Sequence, residues 1–177
     1  MYGFGVAAGV FGPVRRFGPV VLIPAAWIAA GAATVGRLQT AGLLIAHLVM
    51  AGFIAFFLLT GWREMAHGAL RAWRAVLVAG LAITLAGIAG FVGPFAGAAL
   101  LGVSLVGWMV LPAAGLAYTA RELPDAAIVY AGGAAVAVAG AALFVWTLST
   151  PGEPLVGPAF GLVAAGQTAG IVDAARR

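Results

Sequence analysis

His47 is the only ionisable side chain set well inside an apolar stretch of this chain, within TAGLLIAHLVMAGFIAFFLLTGW. A neutral imidazole there can carry a proton, touch a ligand or bind a metal. It can also hydrogen-bond to a neighbouring backbone carbonyl or hydroxyl, or reach interfacial water, and that plainer arrangement is the expectation. The other histidine, His67, follows twenty positions later. On one continuous helix the two would stand about 30 Å apart at ~1.5 Å per residue, too far to share a metal. The chain has no cysteine, and Met50, Met65 and Met109 fall at no ligand spacing. No metal site and no cofactor are therefore expected. The one haem arrangement left would bring together the His47 rings of two copies.

The most polar pair in any other apolar stretch is Gln167-Thr168, embedded in GPAFGLVAAGQTAG. Small residues four apart let helices approach backbone to backbone, and a glutamine can hydrogen-bond across the contact. Packing within the chain is the first reading, and a seam between copies or a pore-lining face is the other. His47, Gln167 and Thr168 are thus the candidate ligand or pore contacts. No residue is assigned a catalytic role. Glu122, Asp125 and Glu153 sit at segment ends and Asp173 near the C-terminus, so no carboxylate lies mid-segment as a proton relay requires. No phosphate-binding glycine loop, nucleophile elbow or carboxylate pair beside a histidine occurs. Enzymatic chemistry is not expected.

The elements that hold these residues follow from composition. Of 177 residues 64% are hydrophobic and 8% charged, with mean hydropathy +1.12. Soluble domains carry about 25% charged residues, so the bilayer is the expected solvent and first partner. A homo-oligomer or a membrane partner subunit is the expected protein contact. The pI near 10.7 rests on nine arginines with no lysine. They are scattered and form no stripe, which argues against nucleic acid. Complete replacement of lysine by arginine suggests the codon bias of a GC-rich prokaryotic genome.

One transmembrane domain spanning 1–177 is expected, an all-α bundle of six helices over 18–36, 41–62, 75–92, 95–119, 125–148 and 155–172. Each is long enough for a hydrocarbon layer of ~30 Å, and backbone in lipid must bond internally. Turns are expected at Gly93-Pro94, Leu123-Pro124-Asp125 and Pro151-Gly152-Glu153-Pro154. Residues 1–14 are too short to span and read as a surface-lying or partly inserted tail. Arg15-Arg16 would then open the first helix, with Pro24 in its early turns. A twin-arginine leader ending at Ala30-Gly31-Ala32 is the sharper rival to that anchored helix.

Arginine placement orients the threading. With a cytoplasmic N-terminus, Arg15, Arg16, Arg63, Arg71, Arg74, Arg121, Arg176 and Arg177 lie inside and only Arg37 outside. That bias predicts a cell-membrane protein with both termini cytoplasmic. Arg15, Arg16, Arg63, Arg71 and Arg74 are read as head-group and orientation anchors, with Arg63 and His67 on one helical face. Trp62, Trp73, Tyr118 and Tyr130 are read as interfacial aromatics at the inner side, and Trp146 at the outer.

Repeated glycine spacings suggest three stacked hairpins. Gly80 and Gly87 match Gly133 and Gly140, and Gly102 and Gly107 match Gly161 and Gly166. His47 and Gly52 share that second spacing, which would make His47 a replacement for a packing glycine. The expected role is association through helix packing, as an accessory or membrane-organising subunit. A passive channel or transporter for a small neutral solute is the alternative, and a haem-binding redox protein the third.

Overall fold

The computed structural model describes residues 4–93, 97–150 and 155–177, in which all regular structure is helical. Six α-helices follow in order: α1 (Phe4–Thr34), α2 (Thr40–Gly61), α3 (Gly68–Val92), α4 (Gly97–Glu122), α5 (Ala127–Thr147) and α6 (Val156–Arg176). Short 3-10 turns, Glu64–Ala66 and Pro124–Ala126, lead into α3 and α5. Among the described residues, α1 to α5 have the length and apolarity to cross a membrane. The 21-residue α6 is long enough but less apolar, because it carries Gln167, Thr168 and Asp173 among its glycines. The molecule is an all-α membrane bundle.

Two closely packed hairpins, α3–α4 and α5–α6, share the α4–α5 contact and form the centre. The third expected hairpin is not one. α1 packs on α6 and only sparsely on α2, while α2 packs on α3. The anchors explain the split: Trp27 of α1 lies against Phe160 of α6, whereas Ile54 and Leu58 of α2 cluster with Met65, Leu77 and Leu81. α1 and α2 therefore attach to different helices of the central four, and touch each other where Phe53 lies against Gly18.

Several boundaries move. α1 starts at Phe4 and is helical through 4–14, the stretch expected to be a separate tail. Pro24 consequently stands deep in the helix, leaving the Val20 carbonyl without its usual donor. The segment after α2 is short: His67 is extended at φ −134° and ψ 162°. Arg63 and His67 are thus not on one helical face, nor are His47 and His67 on one helix. Gly68, at φ +55°, takes a left-handed turn that suits glycine and starts α3, which carries Arg71 and Arg74 in its first two turns. Tyr130, in the first turn of α5 as expected, is buried with Leu116 and Ala126. The turns expected at Pro94 and Pro151-Gly152-Glu153-Pro154 fall outside the described residues, as do the side chains of Arg15 and Arg16.

Glycines decide how near the central helices come. A Cβ on Gly133 would lie 2.6 Å from the Gly166 carbonyl oxygen, and one on Gly140 would lie 2.7 Å from that of Ala159. α5 and α6 therefore meet backbone to backbone. On α6, Gly166 and Gly170 face this contact, whereas Gly157 and Gly161 meet nothing within 4 Å. Gly102 and Gly52 also face open space, so the even-helix spacing is only half a packing pattern.

Candidate functional site

The polar side chains at membrane depth form a belt through the bundle. His47 lies two turns into α2, its Nδ1 2.9 Å from the Leu43 carbonyl oxygen. A carbonyl only accepts, so Nδ1 carries the proton and Nε2 is the acceptor. The Ser104 hydroxyl of α4 faces Nε2 at 3.4 Å. The ring rests on Gly87 of α3, where a Cβ would come 2.8 Å from both Nε2 and Ser104 Oγ. Phe91 meets it edge-on at 5.0 Å between centroids. His47 does not replace a packing glycine; it uses one on the facing helix.

One turn further along α4 is Trp108. Its indole N–H donates to Thr84 Oγ1 of α3 at 2.9 Å, and that hydroxyl donates to the Gly80 carbonyl at 2.7 Å. Its own carbonyl is freed by the chain chemistry: Pro112, four residues on, has no N–H to offer it. Gln167 of α6 fills the place. Its Nε2 donates to the Trp108 carbonyl at 3.0 Å and to that of Met109 at 3.3 Å. Its Oε1 accepts the Trp27 indole N–H of α1 at 2.9 Å. Gln167 is 3% exposed and all its contacts are with protein, so it is a bracket between three helices. Thr168 is half-buried beside it.

The Trp108–Thr84–Gly80 chain has a twin. Trp73 of α3 donates to Thr119 Oγ1 of α4 at 3.0 Å, and Thr119 donates to the Gly115 carbonyl at 2.8 Å. The helices are antiparallel, and each gives its tryptophan to the other's threonine. Each tryptophan ring also lies over the other helix's glycine, with Trp108 Cζ2 2.8 Å from where a Cβ on Gly80 would stand and Trp73 Cζ2 3.6 Å from one on Gly115. The sequence carries the signature: WRAVLVAGLAIT at 73–84 and WMVLPAAGLAYT at 108–119 agree at six of twelve positions. Glycine spacing alone hid it, because glycines recur throughout the chain and the tryptophan and threonine offsets carry the information. Trp73→Phe and Trp108→Phe are each expected to cost about 1 kcal/mol, the net value of one hydrogen bond. Equilibrium unfolding in mixed micelles measures both. Equal stability of wild type and both variants would remove the latches from the account.

Among the described residues, every buried side-chain nitrogen or oxygen has a hydrogen-bond partner. No group of three or more His, Asp or Glu side chains converges among them. Both His47 nitrogens have a partner within the bundle. At the arginine-bearing end, Arg74 lies over Trp62 at 4.9 Å, and Arg177 pairs with Asp173 at 2.6 Å. The hydrogen bond from Arg177 holds the Asp173 carboxyl below the usual carboxylate range. Arg63 and Arg71 are exposed at the same end. No family model, curated protein or solved structure matches the chain.

Proposed function

We propose that this chain is a non-enzymatic, multi-pass membrane protein that acts by association, as an accessory or membrane-organising subunit. The observation that carries the reading is the complete use of buried polar groups within the bundle. Among the described residues each one has a partner within the bundle and ties helix to helix or helix to itself. The apolar sides of α1 and α2, by contrast, are largely uncovered: Ile28, Ile45, Val49 and Leu59 are all exposed. Surfaces of this kind meet lipid or another membrane helix.

All six helices cross the cell membrane of a prokaryote in this reading, with both termini cytoplasmic. The support is electrostatic. The α2–α3 turn with the first two turns of α3, the α4–α5 turn, the C-terminus and the Arg15-Arg16 pair carry the entire net charge of +4, because Arg37 and Glu153 cancel. Positive charge of that asymmetry stays on the cytoplasmic face. Arg63, Arg71 and Arg74 then lie at head-group level, as do Arg15 and Arg16.

Absence of cysteine makes the threading simple to test. Val35→Cys is expected to react with an impermeant maleimide on intact cells, and Arg177→Cys only after lysis. The reverse pattern would overturn the orientation. Association is tested by purification at native expression in mild detergent, where a membrane partner or a second copy is expected to accompany the chain. A lone monomer would sink the reading. The rival, passage of a small neutral solute, retains His47 as its polar contact, because the Ser104 hydrogen bond is long. Liposome flux above that of empty vesicles, lost in His47→Ala, would favour it.

A further inference from the structure

We propose that the outer flank of the α2–α3 pair, at the arginine-bearing end, seats one anionic phospholipid. Its phosphate rests on Arg71 and Arg74, and an acyl chain runs along Val78 and Leu85. On α3 these four residues follow at spacings of three, four and seven, which keeps them on one face within about 60°. Arg71, Val78 and Leu85 are exposed and Arg74 is half-buried. From Arg74 to Leu85 the stripe runs about 16 Å at ~1.5 Å per residue, close to half of a ~30 Å hydrocarbon layer. That is the depth of one leaflet.

α2 supplies the neighbouring surface. Trp62, just past its last turn, is exposed, and the Arg74 guanidinium lies over its ring at 4.9 Å. Stacking of this kind holds the guanidinium in place and leaves its N–H edge to a phosphate oxygen. Leu59, one turn back on the same side of α2, is 85% exposed. Read from the helix ends toward the bilayer centre, the flank is cationic, then aromatic, then aliphatic. A phospholipid has the matching order of phosphate, interface and chain.

The chain itself does little to balance these guanidiniums. Among the described residues no ion pair joins a carboxylate to Arg63, Arg71 or Arg74, and Glu64 is the only acid between positions 40 and 121. The α4–α5 turn at the same end sets one arginine, Arg121, against Glu122 and Asp125, and Arg177 is paired with Asp173. Positive charge is therefore concentrated where α2 passes into α3. Helix stability does not call for it there: Arg71 and Arg74 stand at the positive end of the α3 dipole, where acids are favoured. An anionic headgroup balances the charge, and the apolar stripe beneath selects a lipid over a free phosphate.

Native mass spectrometry of the full chain in mild detergent counts the lipids it retains. Phosphatidylglycerol is expected to bind as one molecule per chain, about tenfold or more tighter than phosphatidylcholine with the same acyl chains. Arg71→Gln combined with Arg74→Gln is expected to weaken phosphatidylglycerol about 25-fold, roughly fivefold per arginine, and to leave phosphatidylcholine unchanged. Arg37→Gln, at the opposite end of α2, is expected to alter neither. Glycerol phosphate, the soluble part of the headgroup, is expected not to displace the lipid. Equal affinity for the two lipids overturns the seat, and would leave the arginines to orientation or to an acidic segment of a partner. Undiminished phosphatidylglycerol binding in the double variant overturns it too, as does displacement by glycerol phosphate. Should the double variant fail to fold, Arg71→Gln alone is expected to lose about fivefold, and no loss there overturns the seat equally. The measurement uses the purified chain, so its result stands apart from the threading and association assays above.

Discussion

Gln167→Ala is expected to destabilise the bundle by about 2–3 kcal/mol, and to cost about 1 kcal/mol less when Pro112 is also changed to Ala. The first figure exceeds the ~0.6 kcal/mol average for hydrogen bonds between membrane helices. That average is small because a broken bond finds another partner. Here the Trp108 carbonyl has none within its helix, since the residue four positions on is proline. The Trp27 indole N–H loses its acceptor in the same variant. Pro112→Ala restores a backbone donor to the carbonyl, so part of what Gln167 supplies becomes redundant. Equilibrium unfolding in mixed micelles, followed by tryptophan fluorescence, completes the double-mutant cycle. Strictly additive losses would show that the bracket and the proline are unrelated.

Gly166→Leu is expected to separate α5 from α6 or prevent folding, a loss above about 3 kcal/mol. A Cβ on Gly166 would run into the Gly133 carbonyl oxygen and lie 2.7 Å from the Ala137 backbone nitrogen. Backbone atoms of a packed helix cannot rotate away as a flexible side chain can. Gly161→Leu, five residues earlier on the same helix, is expected to shift stability by no more than ~0.5 kcal/mol, because nothing lies within 4 Å. Thermal aggregation of the two variants in detergent separates them. Equal midpoints would mean the α5–α6 contact is not as close as described.

How much of this was legible beforehand depends on the range of the force concerned. Helix placement rests on local hydropathy, and α2, α3, α4, α5 and α6 begin and end within a few residues of their expected limits, apart from the start of α3 and the end of α6. Those two differ because charged residues were assigned to turns, whereas arginines extend from the last turns of a membrane helix without breaking it. The start of α1 was hidden for a related reason: too few apolar residues to span does not mean too few to continue a helix. Pairing of helices was less visible. The α1–α6 contact depends on Trp27 and Gln167, 140 residues apart, and no periodicity encodes a contact at that separation. Likewise Gln167 stood out as a polar residue, but its role follows from a proline on another helix. The Trp–Gly–Thr repeat was fully written in the chain and needed only the right offset.

Because α3 and α4 carry the same signature and bind each other through it, a segment with this signature recognises its own likeness turned end for end. Tandem copying of such a segment produces a fitted pair in one step, with no later substitution required to create the contact. With the pair held in this way, positions outside the signature need not match. Pro112 stands where α3 has Leu77, within the shared signature itself, and this difference leaves the Trp108 carbonyl for Gln167.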